Sequence, residues 1–93
     1  MARGFYLVSY DISDDRVRAR LAHLLEGYGQ RVQYSVFELW LTERELDRLQ
    51  ARLTDAVEAE GTVRLYALCA ACRERVQVFG QGERTEELGL LLV

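Results

Sequence analysis

The segment from Phe5 to Ile12 constrains the fold of this chain more than any other part of the sequence. Every residue in it is apolar or aromatic except Ser9 and Asp11. A short run of this kind is typical of a strand that is buried on both faces. Because side chains alternate along a strand, Asp11 shares a face with Phe5 and Ser9 and lies at the end of that stripe. We therefore expect a central strand that ends in a carboxylate.

Two helices are predicted after this strand. Acidic capping residues and the helical spacing of apolar residues predict the first over about 14–27. The capping-box sequence Thr42–Glu45 predicts the start of the second, and the apolar stripe that follows ends before Gly61.

Alternating sequences predict the remaining strands. They cover 31–41, 62–69 and 75–79. The first is longer than most strands, so we expect it to bend or break into two strands at 33–35. The short connection at 70–74 suits a hairpin between the last two strands.

This order of elements indicates an α+β fold, a ferredoxin-like two-layer sandwich with two helices on one face of a mainly antiparallel sheet. The other sheet face lacks helices, although the first strand is apolar on both sides, so we expect a second subunit to cover it. Residues 1–82 form this predicted domain. Residues 83–93 form an arm, and its apolar end, 88–93, is predicted to add an extra C-terminal strand to a sheet edge of the partner subunit.

Composition and motifs exclude most classes of function. The sequence has one His, no Gly-rich phosphate loop, no G-x-S-x-G elbow and no H-E-x-x-H motif. Its longest apolar run, 65–72, is far shorter than the roughly 20 residues of a membrane-spanning helix, so we expect a cytoplasmic protein with no membrane partner. The net charge of −3 argues against a uniformly basic coat for nucleic acid, although all twelve basic residues are Arg.

Asp11 is the strongest candidate for a functional residue. A carboxylate at the end of an apolar strand needs a partner, and two kinds are open. Asp11 caps the helix and pairs with Arg16 or Arg18, or it binds Mg²⁺, which is usually held by one or two carboxylates together with waters and substrate phosphate. A two-fold dimer would bring two copies of Asp11 together.

Arginines and tyrosines cluster in sequence around this junction. Tyr10, Tyr28 and Tyr34 are interspersed among Arg16, Arg18, Arg20 and Arg31. They form either a rim that contacts phosphates or a set of solvated and ion-paired side chains.

Cys69 and Cys72 have the spacing of half a zinc site, but no further ligands lie nearby at suitable spacing. We expect buried structural cysteines in a reducing compartment. A redox pair is disfavoured because Cys69 ends a predicted strand rather than beginning a helix. A metal clip between subunits stays open.

Three segments of the sequence resemble the CRISPR-associated protein 2 family. They are 10–15 followed by the arginines of the first helix, 28–38, and 63–69, in order and correctly spaced. The resemblance implies a ferredoxin-like fold and a homodimer formed through the sheet faces, with C-terminal strands that extend the partner's sheet. It also implies that Asp11 faces its twin at the interface and binds Mg²⁺ there.

The resemblance further implies a metal-dependent endonuclease that acts on single-stranded RNA or double-stranded DNA. Asp11 and Tyr10 are then the candidate catalytic residues, and Asp11 is the metal ligand. The candidate nucleic-acid-binding residues are Arg16, Arg18, Arg20 and Arg31. Phe37 would support activity through dimer packing.

The family also implies a role in spacer acquisition together with the CRISPR integrase, the CRISPR-associated protein 1 family. In the alternative, the dimer is a purely structural adaptor that holds duplex DNA between integrase subunits and has no physiological catalysis.

Overall fold

The computed structural model describes residues 2–57 and 61–86. Within these ranges the elements are β1 (Gly4–Asp11), α1 (Asp15–Glu26), β2 (Gly29–Gln33), β3 (Val36–Leu41), α2 (Glu43–Ala56), β4 (Thr62–Leu68) and α3 (Ala70–Glu74). No helix in the described ranges has the length and apolar composition needed to cross a bilayer.

The four strands form one antiparallel sheet in the order β2-β3-β1-β4, so β1 is central as expected. The order β1-α1-β2-β3-α2-β4 in this sheet is the ferredoxin-like pattern and confirms the predicted fold class. The long segment predicted over 31–41 does break: β2 and β3 pair as a hairpin that turns at Tyr34 and Ser35.

Both long helices begin at side-chain caps. The Asp14 carboxylate accepts a hydrogen bond of 3.0 Å from the N–H of Val17. The predicted capping box is present: Thr42 Oγ1 accepts from the N–H of Glu45, and the Glu45 carboxylate accepts from the N–H of Thr42. These caps satisfy N–H groups that have no partner inside the helix.

The core lies between α1, α2 and one face of the sheet. Val8, Tyr10 and Ile12 of β1 and its extension meet the apolar stripes of the two helices there. The opposite sheet face carries Phe5, whose ring lies 5.0 Å from that of Trp40 on β3. Alternation along β1 thus separates the face covered by α1 and α2 from an opposite, more open face that contains Phe5, Leu7, Ser9 and Asp11. The expectation that this second face lacks helices is wrong at one end, where Arg73 of α3 packs on Phe5 and Trp40.

The prediction of a strand at 75–79 is wrong within the described residues. Residues 70–74, expected as a hairpin connection, form α3, and 76–79 have no strand pairing within the described ranges. The reason is that Ala70 and the residues after it favour a helix, and the N–H of Arg73 closes its first turn on the carbonyl oxygen of Cys69 at 2.9 Å.

The predicted C-terminal strand at 88–93 lies outside the described residues. The start of the predicted arm is described through Glu86, and it lies against its own sheet: Thr85 Oγ1 donates a hydrogen bond of 2.6 Å to the Glu38 carboxylate on β3.

Candidate metal and nucleic-acid site

Asp11 is the last residue of β1 and is exposed. In the pairing of β1 with β4 it lies opposite Thr62, and Gly61 packs tightly behind it. A Cβ on Gly61 would come within 2.8 Å of the Asp11 carbonyl oxygen, and Gly61 has a φ of +95°. Glycine is therefore required at this position to let the backbones approach.

The three acids at this junction have separate roles. Asp14 caps α1, and Asp15 forms an ion pair with Arg18. The carboxylate of Asp11 makes no hydrogen bond or ion pair with any described residue. The hypothesis that Asp11 caps the helix and pairs with Arg16 or Arg18 is therefore wrong. Asp14 forms the cap, and Asp15 forms the ion pair.

Arg18 braces the loop that follows Asp11. Its guanidinium donates hydrogen bonds to the carbonyl oxygens of Ile12 and Ser13, at 2.9 and 3.2 Å. The carboxylate of Asp15 raises the pKa of Arg18, with Tyr34 adding to the effect. Arg18 thus uses its donors inside the protein, with 26% of its side chain exposed.

Arg16 and Arg20 are exposed and make no ion pair within the described residues. They lie one helical turn apart on α1, so they project from the same side of the helix. Two such guanidinium groups are available to phosphate oxygens, to which they can donate bidentate hydrogen bonds.

Arg31 lies on β2 beside three aromatic side chains, those of Tyr10, Tyr34 and Phe37. Its guanidinium is 5.3 Å from the ring centre of Phe37 and 6.0 Å from that of Tyr34. It also donates a long hydrogen bond of 3.5 Å to the hydroxyl of Tyr10. The rings of Phe37 and Tyr34 contact the guanidinium of Arg31 through its plane. Its N–H groups at the outer edge therefore remain available to bind a ligand.

Tyr10 and Phe37 are buried on the helix-covered face, away from Asp11. Tyr10 is 4% exposed, its ring stacks on Phe37 at 6.4 Å, and its hydroxyl donates to the carbonyl oxygen of Tyr34 at 3.4 Å. Phe37 is 0% exposed, so its side chain adds no surface of this chain to a dimer interface, which differs from the dimer packing that the resemblance implied. Both residues instead support Arg31 from within the protomer.

Arg64 was missed by the sequence analysis. It lies on β4 opposite Ser9 and is therefore a diagonal neighbour of Asp11 on the open face, where such positions are about 7 Å apart. It donates to the hydroxyl of Tyr66 at 3.5 Å, and this contact raises the pKa of Arg64. The alternation of side chains along β4 could have placed Arg64 on one of the two sheet faces. Only the pairing register of β1 with β4 shows that this is the face of Asp11 and that the two residues are neighbours.

The described part of the protomer has no group of three or more His, Cys, Asp or Glu that could hold a metal ion. At the end of β1 it does offer the exposed carboxylate of Asp11, whose oxygens have no partner among the described residues. One hard oxygen ligand per protomer fits Mg²⁺, which keeps several waters and is often completed by substrate phosphate. A single carboxylate provides too few ligands for a metal ion that is held by the described residues of this chain alone.

A second cluster, also missed, holds the start of the C-terminal arm. Arg73 is 6% exposed, and its guanidinium lies over the rings of Phe5 and Trp40, 5.3 and 5.4 Å from their centres. Its guanidinium donates to the carbonyl oxygen of Thr85 at 2.6 Å and pairs with Glu86 at 3.3 Å. Sequence patterns gave no sign that an arginine of 70–74 would be buried.

The comparisons with known proteins agree with this architecture. The family model for CRISPR associated protein Cas2 matches residues 4–76. The chain is 46% identical over 84 residues to the CRISPR-associated endoribonuclease Cas2 1 of Chloroflexus aurantiacus, covering 88% of this chain and 90% of that relative. It is 40% identical to the CRISPR-associated endonuclease Cas2 2 of Thermus thermophilus, covering 92% of each.

Among solved structures, the chain resembles a component of a partial Cas6-RT-Cas1–Cas2 complex. The TM-score is 0.71 at 31% identity, with 81% of this chain and 89% of that chain covered.

Proposed function

This chain belongs to the CRISPR associated protein Cas2 family, and from that premise we propose that it acts in CRISPR adaptation as a nucleic-acid-binding homodimer that assembles with Cas1. The presence of Cas1 and Cas2 in the complex that contains a structural neighbour supports the assembly. Nuclease names among the relatives support an activity on phosphodiesters. We propose a cytoplasmic location and no membrane partner for this activity.

The free carboxylate of Asp11 is the observation that carries the proposal. An exposed acid that makes no bond in the described protomer, with its neighbours Asp14 and Asp15 already engaged, remains available for a metal ion and its phosphate ligand.

The open sheet face supports the homodimer. Leu7 is only partly covered within the protomer, and Tyr66 beside it is 48% exposed. A second copy packed on this face would bury both side chains and bring the two Asp11 residues toward each other, because Asp11 is on the same face. Two carboxylates from two protomers would complete a site that one protomer cannot form.

In this site Asp11 would hold Mg²⁺, which when bound polarises the phosphodiester and lowers the pKa of a bound water. Arg18 keeps the loop after Asp11 in place through the carbonyl oxygens of Ile12 and Ser13. Arg16, Arg20 and Arg31 would contact the phosphates. Tyr10 acts as a positioning residue, because its hydroxyl contacts Arg31 and its ring is buried.

The proposed substrates are single-stranded RNA and double-stranded DNA. The two relatives differ in their names, one an endoribonuclease and the other an endonuclease. Phosphate contacts from arginines carry no base information, so the site geometry is compatible with either backbone.

A purely structural adaptor is the second candidate. It is favoured by the single carboxylate, since the described residues near Asp11 include no further free acid or His to act as a general base. In that case the arginines hold duplex DNA between Cas1 subunits, and cleavage has no physiological role.

One experiment separates these roles. Wild-type protein, Asp11→Asn and the matched exposed variant Asp47→Asn are purified identically and assayed on RNA and duplex DNA panels with and without Mg²⁺. The same samples are tested for dimerisation by light scattering, for Mg²⁺ binding by calorimetry, for duplex binding by fluorescence anisotropy and for assembly with Cas1.

Cleavage and Mg²⁺ binding that are lost only in Asp11→Asn support the nuclease. Cleavage that is equal in all three proteins overturns it and indicates a contaminant. A wild-type dimer that binds duplex and Cas1 without cleaving assigns the adaptor role, and a protein that remains monomeric overturns the shared site.

A further inference from the structure

Cys69 and Cys72 are both free and exposed, contrary to the expectation that they are buried. Cys69 directly follows β4 and is at the same time the residue that precedes α3, while Cys72 lies within α3. The sequence argument against a redox pair assumed that a residue ending a strand could not begin a helix. The structure places Cys69 in both positions.

The two cysteines are one helical turn apart. The hydrogen bond from the N–H of Arg73 to the carbonyl oxygen of Cys69, at 2.9 Å, closes the turn that contains both. Residues three apart on a helix have Cα atoms about 5 Å apart, which lies within the range that a disulfide spans. The pair can therefore be bridged without moving the backbone far.

The two thiols affect each other in opposite directions. The backbone N–H and the thiol of Cys72 lower the pKa of Cys69, while Cys69 raises the pKa of Cys72. Cys69 is thus the thiol that ionises first and attacks, and Cys72 stays protonated longer. Cys69 also lines an open cleft of about 240 Å³ through which a small reagent can reach it.

We propose that Cys69 and Cys72 form a dithiol site for thiol–disulfide exchange with low-molecular-weight disulfides, and that closing the bridge strengthens the hold of Arg73 on the C-terminal arm. The Cys69 thiolate attacks one sulfur of the reagent, forms a mixed disulfide and releases one thiolate. Cys72 loses its proton and attacks the Cys69 sulfur, which forms the Cys69–Cys72 bond and releases the second thiolate. The two cysteines are oxidised, the reagent is reduced to two thiols, and the protons lost by the cysteines pass to the released thiolates.

The link to the arm follows from the contacts of Arg73. It is adjacent to Cys72, its N–H bonds to Cys69, and its guanidinium holds Thr85 and Glu86. Its carbonyl oxygen also accepts a hydrogen bond of 3.1 Å from Arg84. A cross-link across this turn restricts its local opening, and each opening of the turn must disturb these contacts.

The experiment uses the full chain equilibrated in mixtures of reduced and oxidised glutathione. Intact mass measures the disulfide through the loss of two hydrogen atoms. Hydrogen exchange with peptide resolution measures protection of the amides at 84–86. Cys72→Ser tests the order of attack, and the double variant Cys69→Ser/Cys72→Ser is the control for effects of the buffer.

We expect the wild type to form the internal disulfide, Cys72→Ser to stop at a mixed disulfide on Cys69, and exchange at 84–86 to become slower only in the oxidised wild type. Failure to form the internal bridge at any glutathione ratio overturns the site. A bridge that forms while exchange at 84–86 is unchanged or faster overturns the link to the arm. Neither result depends on nuclease activity or on Cas1.

Discussion

Arg18 donates a hydrogen bond of 2.9 Å to the carbonyl oxygen of Ile12, the residue that directly follows Asp11. A guanidinium that binds this carbonyl, that of Ser13 and the carboxylate of Asp15 fixes the path of the loop between β1 and α1. The position of Asp11 therefore depends on a residue for which the sequence suggested a contact with nucleic acid or an ion pair with Asp11, but not this role in the loop.

We expect Arg18→Gln to lower the urea midpoint of unfolding, since the shorter amide cannot reach these acceptors and leaves Asp15 unpaired. Arg16→Gln is the matched control, because Arg16 is exposed on the same helix and makes no ion pair in the described residues. Equal midpoints for the two variants would show that Arg18 does not brace the loop.

Phe37 supports the site through packing inside the protomer. Phe37→Leu removes part of a ring that is fully buried and stacked on Tyr10 and Arg31, so it should reduce the free energy of unfolding by about 1 to 2 kcal/mol. Tyr34→Leu, which changes an exposed ring on the same cluster, should cost far less. Urea unfolding with unchanged m-values checks both, and a wild-type stability for Phe37→Leu combined with a weaker dimer would contradict this assignment.

Arg73 anchors the arm, and Arg73→Met tests that anchor. Methionine keeps an apolar side chain over Phe5 and Trp40 but removes the donors to Thr85 and Glu86. Leaving a buried carbonyl without its charged donor should cost about 2 kcal/mol in unfolding free energy. The fluorescence of Trp40, whose indole N–H donates to the same carbonyl at 3.5 Å, should change as well. Arg75→Met, at an exposed position, is the control, and identical behaviour of the two variants would disprove the anchor.

The parts of the fold that sequence alone predicted are those fixed by local rules. The capping box at Thr42 and Glu45 forms between residues three apart, so its spacing is sufficient to predict it. The break at 33–35 follows from strand length. The helix at 70–74 was mistaken for a hairpin connection because five residues of mixed character are compatible with both.

The parts of the site that sequence could not predict depend on distant residues. Which of three neighbouring acids caps α1, and which one stays free, is decided by the loop that Arg18 holds. Thr85 and its acceptor Glu38 are 47 residues apart, and no local pattern connects them. Asp11 was identified as the residue of interest, but the reason it is available emerged only from the bonds of Asp14 and Asp15.

The role of the exposed arginines of α1 can be tested through salt dependence. Each phosphate contact that is lost should reduce the slope of log K against log salt by about 0.9 on duplex DNA, so Arg16→Gln/Arg20→Gln should reduce it by about 2. Arg44→Gln/Arg48→Gln is matched in charge, since these two arginines are also exposed and one turn apart, on the outer face of α2. Anisotropy titrations of labelled duplex at several salt concentrations measure the slopes. A selective loss in the α1 variant places the duplex at the Asp11 end of β1, where α1 begins, whereas equal losses in both variants would mean that only the overall charge of the protein matters.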